Sequence, residues 1–180
     1  MIADGSTAFN ATLYTGNGSA RNISTPYGPD FVWIKSRSAQ YDHGVFDVLR
    51  GANQRLAANS NGAEGTETNS VTAFNSDSFS LGSLAFYNNP STTFVAWNWN
   101  AGTSTESNTD GSLTSQVRAN TTAGFSIVSF TGDGSGTDTI GHGLNATPST
   151  IWLKDRDNNN NWIVYTTAID GSLDYLSFNP

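Results

Sequence analysis

Short apolar or alternating runs, set apart by Gly, Asn, Asp and Pro, recur along the whole chain, and no stretch sustains a 3.6-residue period. The runs predict strands near 9–15, 30–37, 44–49, 71–74, 78–82, 92–99, 112–118, 125–131, 150–156, 162–167 and 173–178. Between residues 48 and 59, Leu49, Ala52 and Leu56 fall at helical spacing, but Gly51 interrupts them, so helix and extended coil stay equally open. Asp110-Gly111 between polar flanks predicts a hairpin, because that pair tolerates the positive φ of a type I′ turn. The expected fold is all-β, an antiparallel β-sandwich or jelly roll, with Trp33, Trp97, Trp152, Phe125 and Ile127 inside.

The pattern also repeats. Leu13-Tyr14-Thr15-Gly16-Asn17-Gly18 returns as Ser129-Phe130-Thr131-Gly132-Asp133-Gly134, an offset of 116 residues. Phe31-Val32-Trp33-Ile34-Lys35-Ser36-Arg37 returns as Thr150-Ile151-Trp152-Leu153-Lys154-Asp155-Arg156, an offset of 119. A tandem duplicated unit is therefore expected, with residues 1–102 as the first β unit, 103–122 as linker and hairpin, and 123–180 as a second, incomplete copy. Nothing in the second copy answers to Phe74 through Trp99. Missing strands would come from a neighbouring chain or from a longer product of which this is a part, and the second is favoured because an unpaired apolar edge invites aggregation.

Composition narrows the function. Charged residues are 13% of the chain and aromatic residues 12%, so the core is thin and aromatic. The net charge of −7 and eight scattered basic residues argue against a nucleic-acid partner. No run of about eighteen apolar residues exists to cross a membrane, and the first fifteen residues lack the basic start and apolar stretch of a secretory signal. Without cysteine, neither disulfides nor thiol chemistry enters.

Few residues offer chemistry. Val95, Trp97 and Trp99 share one strand face and Ala96, Asn98 and Asn100 the other, which gives either a buried aromatic row or a sugar platform rimmed by amides. Trp97, Trp99, Asn98 and Asn100 are thus the candidate binding residues. Trp33 and Trp152 each sit beside a lysine whose stem can lie over the ring, and core packing accounts for both. Asp155-Arg156-Asp157-Asn158-Asn159 matches the start of a calcium loop, but Asn160 replaces the required glycine and Thr166 the closing glutamate, so a hairpin loop rich in amides explains it better. Gly16-Asn17-Gly18 and Gly132-Asp133-Gly134 read as turns needing positive φ. His43 and His142 lack a nameable nucleophile and acid. No catalytic residue, metal ligand or cofactor is expected.

The Y/F-T-G-N/D-G turns, Phe31 to Arg37, Val45 to Gly51, Asn75 to Gly82, Thr93 to Gly102 and Gly124 to Gly132 together resemble a repeated domain of uncharacterised function found in structural proteins of marine tailed bacteriophages, cyanophages among them. The resemblance covers about residues 9 to 170. It implies a virion-surface role as a tail fibre, attachment protein or capsid appendage. With it go a homo-oligomeric state, a trimer being favoured, contacts with other virion proteins, and loops presented to host-surface polysaccharide. The alternative is a tail-associated glycan depolymerase working through a carboxylate pair. A secreted lectin of cellular origin has no signal sequence to support it.

Overall fold

The computed structural model describes residues 5–168 and 175–179. Within them the chain is all-β and antiparallel, the only helical elements being single turns at Gly5–Thr7 and at α1 (Ala85–Asn88). The strands are β1 (Phe9–Thr15), β2 (Arg21–Ser24), β3 (Phe31–Ser36), β4 (Gly44–Asp47), β5 (Gln54–Arg55), β6 (Gly65–Thr66), β7 (Val71–Phe74), β8 (Ser78–Leu81), β9 (Thr93–Trp99), β10 (Glu106–Asn108), β11 (Ser115–Asn120), β12 (Phe125–Phe130), β13 (Thr150–Leu153), β14 (Ile163–Thr166) and β15 (Tyr175–Leu176).

The central sheet has the order β1-β9-β3-β4, and a three-stranded sheet, β2-β8-β7, covers one of its faces. Alternation decides what lies between them. Val32, Ile34, Phe46, Phe94 and Ala96 point one way from the central sheet and meet Ile23, Val71, Phe79 and Leu81, all nearly without solvent contact. Burial of each such large side chain contributes about 1.5–3 kcal/mol. Tyr87 from α1 completes this core, with its ring laid directly over Gly44. A Cβ at that glycine would come within 2.5 Å of the ring.

The other face of the central sheet carries Phe9, Phe31, Trp33, Trp97 and Trp99, and the second half of the chain packs on it. That half forms two small sheets, β10-β11-β12 and β13-β14-β15. Trp33 lies opposite Val45 in the β3–β4 pair, and Trp152 lies opposite Val164 in the β13–β14 pair.

Several expectations need correction. The dry core is the aliphatic side of β3, not the tryptophan side. Trp33, Trp97, Phe125 and Ile127 are half-buried, and Trp152 keeps 37% of its surface exposed. Rings this large fill a layer between two halves whose rim stays wet, whereas Val32 and Ile34 sit in a closed interior. Residues 48–59 hold turns and the short β5 rather than a helix, consistent with Gly51 at φ 96°. The β10–β11 hairpin forms, but Asn108 pairs with Ser115 across a six-residue loop, wider than a type I′ turn. Ser112 and Thr139 hold that loop by exchanging two hydrogen bonds, Ser112 N–H to Thr139 Oγ1 at 2.9 Å and Thr139 N–H to Ser112 Oγ at 3.0 Å. β10 and β11 are the two strands of that hairpin, within 103–122.

Candidate functional site: an aromatic layer and an uncovered sheet

The four candidate binding residues, three on β9 and Asn100 just beyond it, are divided between two layers. Trp99 is ringed by Phe9 at 4.9 Å, Phe31 at 5.3 Å, Phe125 at 5.8 Å and Trp152 at 6.3 Å between centroids. Trp97 meets Trp33 edge-on at 5.7 Å. Asn98 points to the opposite face and is fully buried; its Nδ2 donates to Ala96 O, and Tyr27 Oη donates to its backbone carbonyl. Asn100 is half-buried, donating to Gly28 O and accepting the Gly102 N–H and Asn120 Nδ2 through Oδ1. Through Trp99 the row of tryptophans is therefore cemented to the second half of the chain, and its neighbouring amides are engaged with backbone and with the Thr12 and Asn120 side chains.

A charged seam fastens the same halves together. Glu64 accepts two hydrogen bonds from Arg156, at 2.7 and 3.1 Å, and one from Arg50 at 3.0 Å, while Arg50 also pairs with Asp47. Burial raises the Glu64 pKa, but the two guanidiniums outweigh it and the carboxyl is held below the ordinary range. Glu64 N–H donates to Arg156 O, and the Trp162 indole N–H donates to Ala57 O in a buried bond of 2.8 Å. Asp155 forms the loop that presents Arg156. Its carboxylate accepts the Asp157 and Asn158 N–H groups and the Asn158 and Asn160 amides, which lower its pKa to about 2. An aspartate so fully used by its own loop accounts for the D-x-D-x-N match.

Among the described residues, nothing covers the outer face of the second half. Phe125 and Trp152 point inward to the aromatic layer, so by alternation Phe130, Ile151 and Leu153 point outward. They are 39%, 45% and 45% exposed. Among the described residues β12 pairs only with β11, and β13 only with β14, leaving each as a sheet edge.

The profile of a domain family of unknown function, DUF7483, matches residues 4–180, nearly the whole chain. The chain belongs to that family. No curated protein and no solved structure matches it. In this DUF7483 domain both histidines and Asp30 are tied into structure as well. His43 Nδ1 accepts the Trp33 indole N–H at 2.7 Å, and His142 Nδ1 accepts the Leu144 N–H. Asp30 accepts the Ala101 N–H and pairs with Arg118, and burial nonetheless raises its pKa. An open cleft of about 570 Å³ between the 110–111 and 139–148 loops has Asp110, Thr139, Ile140, His142, Asn145 and Pro148 in its lining. Alternation in the sequence disclosed the β9 row. The uncovered face was hidden, because Ile151 and Leu153 read the same as the buried Val32 and Ile34.

Proposed function

We propose that this chain is a non-catalytic structural module on the surface of a tailed-phage virion, as tail fibre, attachment protein or capsid appendage, and that it works as a homo-oligomer, a trimer being the expected form. The observation that supports this is the exposure of Phe130 on β12 and of Ile151 and Leu153 on β13, two edge strands whose Phe125 and Trp152 already pack into the aromatic layer. Such exposure is either a docking surface or an aggregation hazard, and assembly resolves the conflict. The phage setting rests on the sequence resemblance. Loops rich in amides and hydroxyls make only weak single contacts with host polysaccharide, so attachment would draw on several copies, which raise avidity about 10² to 10⁴ over one site.

Light scattering on the purified chain tests the reading. The expected mass is three times the 19.1 kDa of one chain, falling to a single chain in the double variant Ile151→Glu, Leu153→Glu. A monomer at all concentrations would remove the assembly role. Release of reducing sugar from host polysaccharide would transfer the reading to a depolymerase.

A further inference from the structure

We propose that Asn61-Gly62 is a self-modifying site, a covalent clock in which the Gly62 nitrogen displaces the Asn61 side-chain amide and the isoaspartate that results loosens the seam between the two halves of the chain. The chain has two Asn-Gly pairs, at 17–18 and 61–62. Glycine puts no side chain in the way of its own nitrogen and leaves the backbone free to turn, so both pairs are reactive in an unfolded chain. The fold treats them differently.

Asn17-Gly18 is locked by Asn88, which has no solvent contact. Asn88 Oδ1 accepts the Asn17 N–H at 3.0 Å, its backbone carbonyl accepts the Gly18 N–H at 2.7 Å, and its Nδ2 donates to Ser19 O at 2.8 Å. The Asn17 side chain is held as well, its Oδ1 accepting the Ser19 N–H. Attacking nitrogen and attacked amide are thus both engaged. Asn61, by contrast, is exposed and lies outside every strand and helix, and its side chain makes no hydrogen bond among the described residues. The Gly62 N–H donates at 3.1 Å to Ser60 Oγ, a hydroxyl free to rotate away, and not to a buried carbonyl.

The chemistry needs only water. The Gly62 nitrogen, after losing its proton, bonds to Asn61 Cγ and closes a five-membered succinimide, and the side-chain nitrogen leaves as ammonia. Water then opens the ring. Where it adds at the main-chain carbonyl, the peptide runs on through the former Cβ and Cγ, one carbon longer, and a new carboxylate is left beside it. The insertion falls where the seam begins. Ala63 N–H donates to Asn159 Oδ1 at 3.0 Å, Glu64 N–H donates to Arg156 O at 2.8 Å, and the Glu64 carboxylate holds the Arg156 guanidinium. An extra main-chain atom spoils the register of these bonds, and a negative charge close to Glu64 competes with it for Arg156.

The test ages the purified full chain at mildly alkaline pH and follows both sites by peptide mapping for isoaspartate. In the folded chain position 61 is expected to convert while position 17 lags about tenfold or more, a ratio set by the cost of opening the contacts with Asn88. In urea the two sites react alike. The aged chain is expected to exchange its Ala63 and Glu64 amides faster than the fresh one. Gly62→Ala, whose Cβ meets only Ser60 Oγ at 3.3 Å, folds as the parent does, slows the conversion and keeps both amides protected over the same period. Asn61→Asp adds the charge without the extra carbon and is expected to exchange these amides more slowly than the aged parent. Equal rates at 17 and 61 in the folded chain, isoaspartate at 61 with the Ala63 and Glu64 amides unchanged, or exchange in Asn61→Asp as fast as in the aged parent would each overturn the proposal.

Discussion

His43 accepts the Trp33 indole N–H through Nδ1, so that nitrogen has to stay unprotonated in the folded chain. Burial, with Lys35 adding to it, depresses the imidazole pKa below its ordinary 6.5. The unfolded chain then binds a proton more readily, and the linked stability is complete above pH 6.5 and is lost as pH falls toward the folded value. Thermal melts of the parent between pH 7.5 and 5 should show a larger drop than those of His43→Gln, whose side chain keeps an acceptor but does not titrate. Parallel curves would place the proton elsewhere. Glu64 acts in the same direction at lower pH. Its folded pKa lies below 4.5, so its contribution is full above that value and fades as pH falls further. Replacing it by Ala removes three charged hydrogen bonds, but Arg50 keeps Asp47 and Arg156 is 43% exposed to water, so the expected loss, read from denaturant unfolding, lies below the ~3–5 kcal/mol of a stranded buried charge.

At the scale of elements, the two glycine turns separate local conformation from tertiary demand. Gly16→Val forces a side chain into the Asn89 carbonyl and should lower the melting temperature by several degrees, whereas Gly132→Val should leave it unchanged. Equal effects would mean that the second turn is crowded by something outside the described residues. The same contrast explains how much of the fold was legible. Strands with several apolar positions, such as β1, β3, β7, β9 and β12, are visible in the sequence because their alternation is dense. β2 is not, since only Ile23 among Arg21-Asn22-Ile23-Ser24 reaches the core, the strand being held instead by its ladder to β8 and by Ser80 Oγ donating to Asn22 Oδ1. The two- and three-residue ladders β5, β6 and β10 carry no apolar signal, and α1 is too short to show a period. The candidate site was legible as a row of tryptophans, but which face of β3 is dry depends on what lands on each, Val71, Phe79 and Leu81 on the aliphatic side and the distant Trp152 on the tryptophan side.

For the whole molecule, the halves are joined by a layer of rings and by the Glu64–Arg156 seam. Hydrogen exchange should protect β3 and β9 most, since both of their neighbours are paired, and β12 and β13 least, since each offers one open edge. Uniform protection would show the halves to be one cooperative unit. That ring layer has an optical consequence. Trp33 lies 5.7 Å from Trp97 and 5.6 Å from Trp152, and Trp99 lies 6.3 Å from Trp152, so four of the five indoles form one contact chain whose links cross from one half to the other. Transition dipoles this close couple, and the near-ultraviolet dichroism of the protein becomes a gauge of whether its two halves are docked, lost on their separation even while every strand remains intact.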